Sequence, residues 1–274
     1  MSCEPDGLVR GRGIVATWIN VVQPGARFSR FSGMYSPAYD NDHPLARRFA
    51  AFIRDEHFPC VGAKSALAKS QLRILVGRDM RSAWDDLRIY PTLLDLAWSY
   101  SREPTLFQSL AVLFEEDSLF DEEEFEACLW ERLESLTHKD AWHGQPLDRR
   151  VSADPGDPHF SLSFGGEAFF VVGLHPRASR PARRFERPAL VFNLHDQFEQ
   201  LRAQGVYDKM REAIINRDVA LAGDANPMLA RHGSTSEARQ YSGRAVGADW
   251  VCPFSGRAEG AAVRDPLRGC AERS

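Results

Sequence analysis

From residue 43 onward the apolar positions fall into distinct rhythms, and the changes of rhythm divide the chain. Leu45, Phe49, Phe52 and Ile53 recur at three- and four-residue spacing, which predicts a helix over 44–58, opened by Pro44 and stopped before Pro59. Residues 72–76 read as a short strand. A helical block is predicted next, carried by three sets: Leu93, Leu94, Leu96 and Ala97; Leu106, Leu110, Leu113 and Phe114; and Phe125, Leu129, Leu133 and Leu136. The acidic run over 115–126 falls at a helix junction and start, where carboxylates complement the helix dipole. It reads as a solvated face rather than a metal site.

Gly, Pro and Asp crowd 142–158 and mark a loop, after which the period becomes two. Residues 159–164 alternate, 167–174 are a near-continuous apolar run and 189–193 are another, so adjacent strands buried on one or both faces are expected. Asn193 is expected to cap a helix running from Leu194 to Gly205, with Phe198 and Leu201 inward. A further helix over 207–217 would turn Met210 and Ile214 inward. The fold class this predicts is α+β, a single domain with a mixed β-sheet flanked by helices. It would span 41–257, between a loose N-terminal arm over 1–40, within which Met34 is an alternative start of translation, and a flexible tail over 258–274. No internal repeat is visible.

Composition narrows the function class. The chain has 274 residues, 43% hydrophobic and 26% charged, with net charge −4, which is ordinary for a soluble globular protein and nominates neither nucleic acid nor membrane as partner. No apolar run approaches the ~20 residues that span a bilayer, and the N-terminus lacks the apolar core of a secretory signal, so a cytoplasmic location is expected. Five cysteines without a CxxC pair indicate reduced thiols rather than a disulfide framework or structural zinc. The dinucleotide, P-loop, zincin, hydrolase-elbow, kinase and covalent-haem fingerprints are absent.

Three constellations carry candidate chemistry. His175 follows an apolar strand that Pro176 prevents from continuing, and arginines at 177, 180, 183, 184 and 187 follow, a density suited to anions. A hydrogen-bonded histidine amid surface arginines stands as the plainer reading. His195 lies in the first turn of the expected next helix, beside Asp196 and Glu199. Residues 236–244 pack Glu237, Arg239, Gln240, Tyr241 and Arg244 together without an apolar period, as a polar pocket lining or an exposed loop would. Cys60 and Cys252 sit among phenylalanines and prolines, where a buried inert thiol is the default.

Taken together, Phe58-Pro59-Cys60-Val61-Gly62-Ala63-Lys64, Gly173-Leu174-His175-Pro176 with Ser179-Arg180 and Ala182-Arg183-Arg184-Phe185, Phe192-Asn193-Leu194-His195-Asp196-Gln197-Phe198-Glu199, Asn226-Pro227-Met228-Leu229, the 236–244 stretch and Trp250-Val251-Cys252-Pro253-Phe254 resemble the YqcI/YcgG family in order and spacing across roughly 43–257. The resemblance implies haem b and a haem-dependent N-oxygenase that hydroxylates a guanidine nitrogen of L-arginine. The setting it implies is natural-product biosynthesis of the D-cycloserine kind. Dioxygen and electrons from a separate reductase or ferredoxin would be needed.

In that frame His175 is the first choice of axial ligand, with His195, Cys60 and Cys252 as alternatives, and Arg180, Arg183 and Arg184 partner the haem propionates. Glu237 would orient the substrate guanidinium and Arg239 or Arg244 its carboxylate, while Tyr241 and Gln240 would form a distal hydrogen-bond network. A haem sensor or carrier without turnover, an N-hydroxylase of another guanidine-bearing amino acid and a haem-free binding protein are the competing readings. A homodimer is left open.

Overall fold

The computed structural model describes residues 38–116, 121–228 and 234–256. Residues 1–37 of the expected arm, with Cys3 and Met34, lie outside the described residues, as do His232 and the tail over 258–274 with Cys270. Residues 39–40, expected to belong to the loose arm, are docked on the domain. Tyr39 OH donates to Asp95 Oδ2 at 2.8 Å, and Asp40 Oδ2 accepts from the backbone N–H of Val76 at 2.7 Å and from Arg88 Nη2 at 2.9 Å.

In chain order the elements are α1 (Pro44–Arg54), α2 (Val61–Ala68), β1 (Leu72–Gly77), α3 (Asp86–Arg102), β2 (Ser109–Phe114), α4 (Glu122–Trp142), β3 (Leu162–Phe164), β4 (Glu167–Leu174), β5 (Ala189–Leu194), α5 (Asp196–Ala203), α6 (Tyr207–Ala222) and the single turn α7 (Ala238–Tyr241), with 3-10 turns at Ala83–Asp85 and Pro181–Arg183. The five strands form one sheet in the order β1-β2-β5-β4-β3. β1 and β2 are parallel, joined through α3, and the other neighbours are antiparallel. The α+β class with a mixed sheet is therefore as the sequence indicates.

Local chemistry explains the boundaries. Asp121 caps α4 with a reciprocal capping box to Glu124, which uses the acidic run as expected. Gly165 and Gly166, at φ +61° and +88°, make the two-residue turn between β3 and β4, a conformation that favours glycine and matches the strand twist. The register Leu162↔Phe169, Ser163↔Ala168, Phe164↔Glu167 follows from that turn. Gly223 at φ +86° ends α6.

Three expectations are corrected. The set Leu106, Leu110, Leu113 and Phe114 does not form a helix; Ser109–Phe114 is β2, buried along its whole length between β1 and β5. A strand covered on both faces has no alternation, so its apolar run mimics helical spacing. The strand expected over 159–164 shortens to Leu162–Phe164, with residue 160 outside it in an isolated bridge to Ser152. Asn193 is a residue of β5 and does not cap α5, which begins at Asp196.

Two apolar cores lie on the two faces of the sheet. On one, α3 and α4 contribute Leu93, Leu96, Phe125, Leu129, Trp130 and Leu133 against Val112, Phe169, Val171 and Phe192. Buried Asp86 ties these helices together by accepting from Arg132 Nη1 at 2.7 Å, Lys139 Nζ at 2.9 Å and Ser135 Oγ at 2.7 Å. On the other face, α1 and α2 contribute Leu45, Phe49, Ile53 and Ala66 against Ile74, Ala111, Leu174 and Ala189. This second core does not close over the whole sheet.

Candidate functional site

Strand alternation decides which side chains can meet. In β4, Phe169 and Val171 enter the α3/α4 core, whereas Phe170, Val172 and Leu174 line a cavity on the opposite face. In β5, Phe192 and Leu194 enter the α3/α4 core, and Val191 and Asn193 line the cavity. The pairs Val172↔Val191 and Phe170↔Asn193 thus share one surface. α1, α2, α5 and α6, the 3-10 turn at Pro181–Arg183 and the start of α7 supply most of the remaining walls around about 360 Å³, within the range of small-molecule sites.

The same alternation carries past the strand ends. His195, immediately after β5, lines the cavity, and only 8% of it is exposed. His175, immediately after β4, follows the phase of Phe169, Val171 and Gly173 and does not line the cavity; its ring stacks on Phe125 of α4 with centroids 4.3 Å apart. Burial lowers its pKa to about 4, and its Nδ1 is buried without a hydrogen-bond partner among the described residues. His175, the first choice of iron ligand from the sequence, is thus not among the residues brought to this cavity. Its backbone instead shapes the loop: its N–H donates to the Arg183 carbonyl at 3.1 Å.

Beside His195 lies Glu237, from the turn before α7, with Nε2 and Oε2 3.7 Å apart. Ser161 Oγ and Tyr241 OH both donate to Glu237 Oε1, at 2.7 and 2.6 Å. Burial pushes the Glu237 carboxyl up to about 7, against the opposing effect of those two hydrogen bonds. Tyr241 itself is fully buried, stacked on Trp130 at 5.5 Å, and does not reach the cavity; it is a support for Glu237. Burial and the adjacent Glu237 raise its phenol well above the usual range.

Cys60 lines the cavity from the N-cap of α2, where Sγ accepts from the Ala63 N–H at 3.4 Å. Burial raises its thiol pKa, while the backbone N–H groups of Ala63 and Gly62 and the Arg183 guanidinium oppose that rise. Cys252 packs against the α3/α4 core outside the cavity, with burial pushing its thiol up to about 12. Cys60, Cys128 and Cys252 are free thiols.

The arginines separate. Arg180 and Arg183 line the cavity, but Arg180 is committed to Asp218 and Asp224. Arg183 Nη1 donates to the carbonyls of Gly173 and Tyr241 at 2.9 and 3.3 Å and Nη2 to that of Gln240 at 3.1 Å. Burial lowers its pKa to about 10. Arg184 is exposed and donates to the carbonyls of Ala178 and Ser179 at 2.6 and 2.7 Å, outside the cavity.

The substrate-side arginines expected from the sequence are also elsewhere. Arg239 turns to the carbonyls of Val246, Gly247 and Trp250, and Arg244 pairs with Glu126 of α4. A single turn of helix explains the split within 236–244: Glu237 and Gln240 share the face toward the cavity, and Tyr241 packs inward. Residues not singled out in the sequence also belong here. Ser161, within the alternating stretch 159–164, is buried. Tyr207, Met210, Arg211, Ile214 and Asp218 all line the cavity, so the apolar stripe of α6 carried a polar continuation at the same spacing.

Among the described residues no group of three or more His, Cys, Asp or Glu converges that would hold a bare metal ion, and no helix is long and apolar enough to cross a membrane. The sequence model of the YqcI/YcgG family matches residues 49–255. Over 155 residues the chain is 32% identical to the protein named "Uncharacterized protein YqcI" from Bacillus subtilis (strain 168), covering 54% of this chain and 59% of that protein. The aligned part is thus less than two thirds of that relative's length. No solved structure matches. The family match takes in every element that walls the cavity, from within α1 to beyond α7, and the chain belongs to the YqcI/YcgG family.

Proposed function

We propose that the protein is a haem-dependent N-oxygenase that hydroxylates a guanidine nitrogen of L-arginine or a closely related amino acid. The observation that carries this reading is the placement of His195 and Glu237 together on the wall of an otherwise largely apolar cavity that also receives Cys60 and Arg183. A porphyrin needs an apolar slot, an axial donor and cations for its propionates, and takes the remaining iron ligands from the macrocycle. The donor set of this cavity fits those needs.

His195, rather than His175, would hold the haem iron. A ligating imidazole is oriented and made more basic when its other nitrogen faces a carboxylate, and Glu237 is so placed. Cys60 is the alternative donor; its burial disfavours the thiolate that ligation requires. When bound, the haem iron supplies dioxygen activation, with electrons delivered by a separate reductase or ferredoxin, and the cytoplasm is the expected compartment.

Glu237 serves His195 or the substrate, according to which residue holds the iron. A carboxylate offers about four acceptor positions, and Ser161 and Tyr241 take those on Oε1, so Oε2 is left for His195 or, were Cys60 to hold the iron, for one N–H of a guanidinium. With a pKa near neutrality, Glu237 can also hold or release a proton at that oxygen.

The test combines the protein with hemin, an electron source, dioxygen and L-arginine, and follows the product by mass. Addition of one oxygen to L-arginine supports the reading. A preparation that takes up no hemin removes it, and bound haem without product from any guanidine compound makes the protein a haem carrier or sensor.

A further inference from the structure

We infer that Arg183 is a carboxylate seat in the cavity. Of the side chains lining the cavity, four are arginines, Arg180, Arg183, Arg202 and Arg211, against two acids, Asp218 and Glu237. Arg180 already holds Asp218, and Glu237 is held by Ser161, Tyr241 and His195. Arg202 pairs with Glu199 and stacks on Tyr207 at 4.5 Å.

Arg183 differs from these. Its hydrogen bonds within the described residues go to backbone carbonyls alone, two from Nη1 and one from Nη2. Those carbonyls belong to β4 and α7, so the guanidinium is clamped between two rigid elements. Its Nε–H and one Nη2–H have no described protein partner, and Nε with Nη2 is one of the forks through which a guanidinium meets a carboxylate. A half-buried cation bonded only to carbonyls is incompletely compensated, and an anionic ligand arriving in the cavity supplies the missing partner.

Carboxylate is the anion the site favours. The surrounding walls, Phe49, Ala66, Val172 and Val191 among them, are apolar, so the occupant carries its charge on an otherwise greasy or aliphatic body. Two sources supply that chemistry, the α-carboxylate of an amino acid and a propionate of haem. The choice of probes rests on the proposed function; the seat rests on the cavity itself.

The experiment measures binding to wild type and to Arg183→Gln in two arms. By calorimetry, L-arginine is compared with agmatine, which lacks only the carboxylate. By absorbance titration, hemin is compared with hemin dimethyl ester. The seat is upheld if wild type favours the free acid in either arm by about tenfold or more, the usual worth of a charge-assisted hydrogen bond, and Arg183→Gln erases that preference. The arm that responds identifies the source.

Equal binding of acid and neutralised partner in both arms, no binding in either, or a preference that survives in Arg183→Gln overturns it. Should Arg183→Gln fail to fold, as circular dichroism would reveal, Arg183→Lys replaces it: point charge without the fork is expected to lower the preference while keeping the fold, and an unchanged preference overturns the seat. Preference for L-arginine in a protein that takes up no hemin would leave the seat standing and remove the haem reading.

Discussion

Glu237 and His195 approach to 3.7 Å on one wall of the cavity, although one comes from the turn before α7 and the other from the end of β5. The contact exists because each is fixed from behind. His195 donates its backbone N–H to the Ala168 carbonyl at 2.8 Å, continuing the β4–β5 ladder, and Glu237 is gripped by Ser161 and Tyr241. A buried carboxyl and an imidazole held this way form a preorganised proton-handling pair.

The first expected consequence is a pH dependence. Glu237 titrates near 7 in the folded protein against an ordinary value of 4.5, so between those values the folded state holds a proton that the unfolded state has released. Stability therefore falls as pH rises through that window and levels off above it. Glu237→Gln keeps an acceptor for Ser161 and Tyr241 but removes the titration. Chemical unfolding at pH 5 and pH 8 should show the variant gaining on wild type at the higher pH by on the order of 3 kcal/mol; an equal difference at both pH values would contradict the assignment.

Gly173 tests how closely α4 lies on the sheet. A Cβ there would stand 2.6 Å from Phe125 Cε1 and 2.8 Å from Leu129 Cδ1. Gly173→Ala should cost about 1–3 kcal/mol through overpacking, read from the midpoint of urea unfolding. Full stability in the variant would show that α4 packs less tightly than described.

The cavity floor offers a test that separates occupancy from folding. Val172 and Val191 are register partners on the cavity face. Val172→Phe adds bulk into open space rather than into packed core, so thermal stability should change little while hemin uptake weakens by roughly tenfold or more, the equivalent of a clash of a kcal/mol or two. Unimpaired uptake would place the haem elsewhere.

Much of this architecture was legible before the structure. The helix begun by Pro44, the strands 72–76, 167–174 and 189–193, and the capped acidic start of α4 all follow from period and cap chemistry. β2 was not, because a doubly covered strand leaves no alternating signature. In the site, His195, Glu237, Cys60, Arg180 and Arg183 were nominated and do line one cavity, whereas His175, Tyr241, Arg184, Arg239 and Arg244 do not.

The reason lies in strand phase. His175 and His195 both follow apolar strands, but β4 and β5 leave the sheet in opposite phase, and composition alone does not reveal which face a strand-end residue takes. Arg211 and Ser161 were missed for a related reason: a polar residue inside an apolar repeat does not reveal from sequence that it faces a cavity, as Arg211 does, or a buried carboxylate, as Ser161 does.

The most direct measurement is the Soret absorbance of hemin-loaded wild type, His195→Ala and His175→Ala. The account expects wild type to take up hemin, His195→Ala to lose or grossly alter the band, and His175→Ala to keep it, because only the first histidine faces the cavity. A colourless wild type, or a band that survives loss of His195 and disappears with loss of His175, would contradict it.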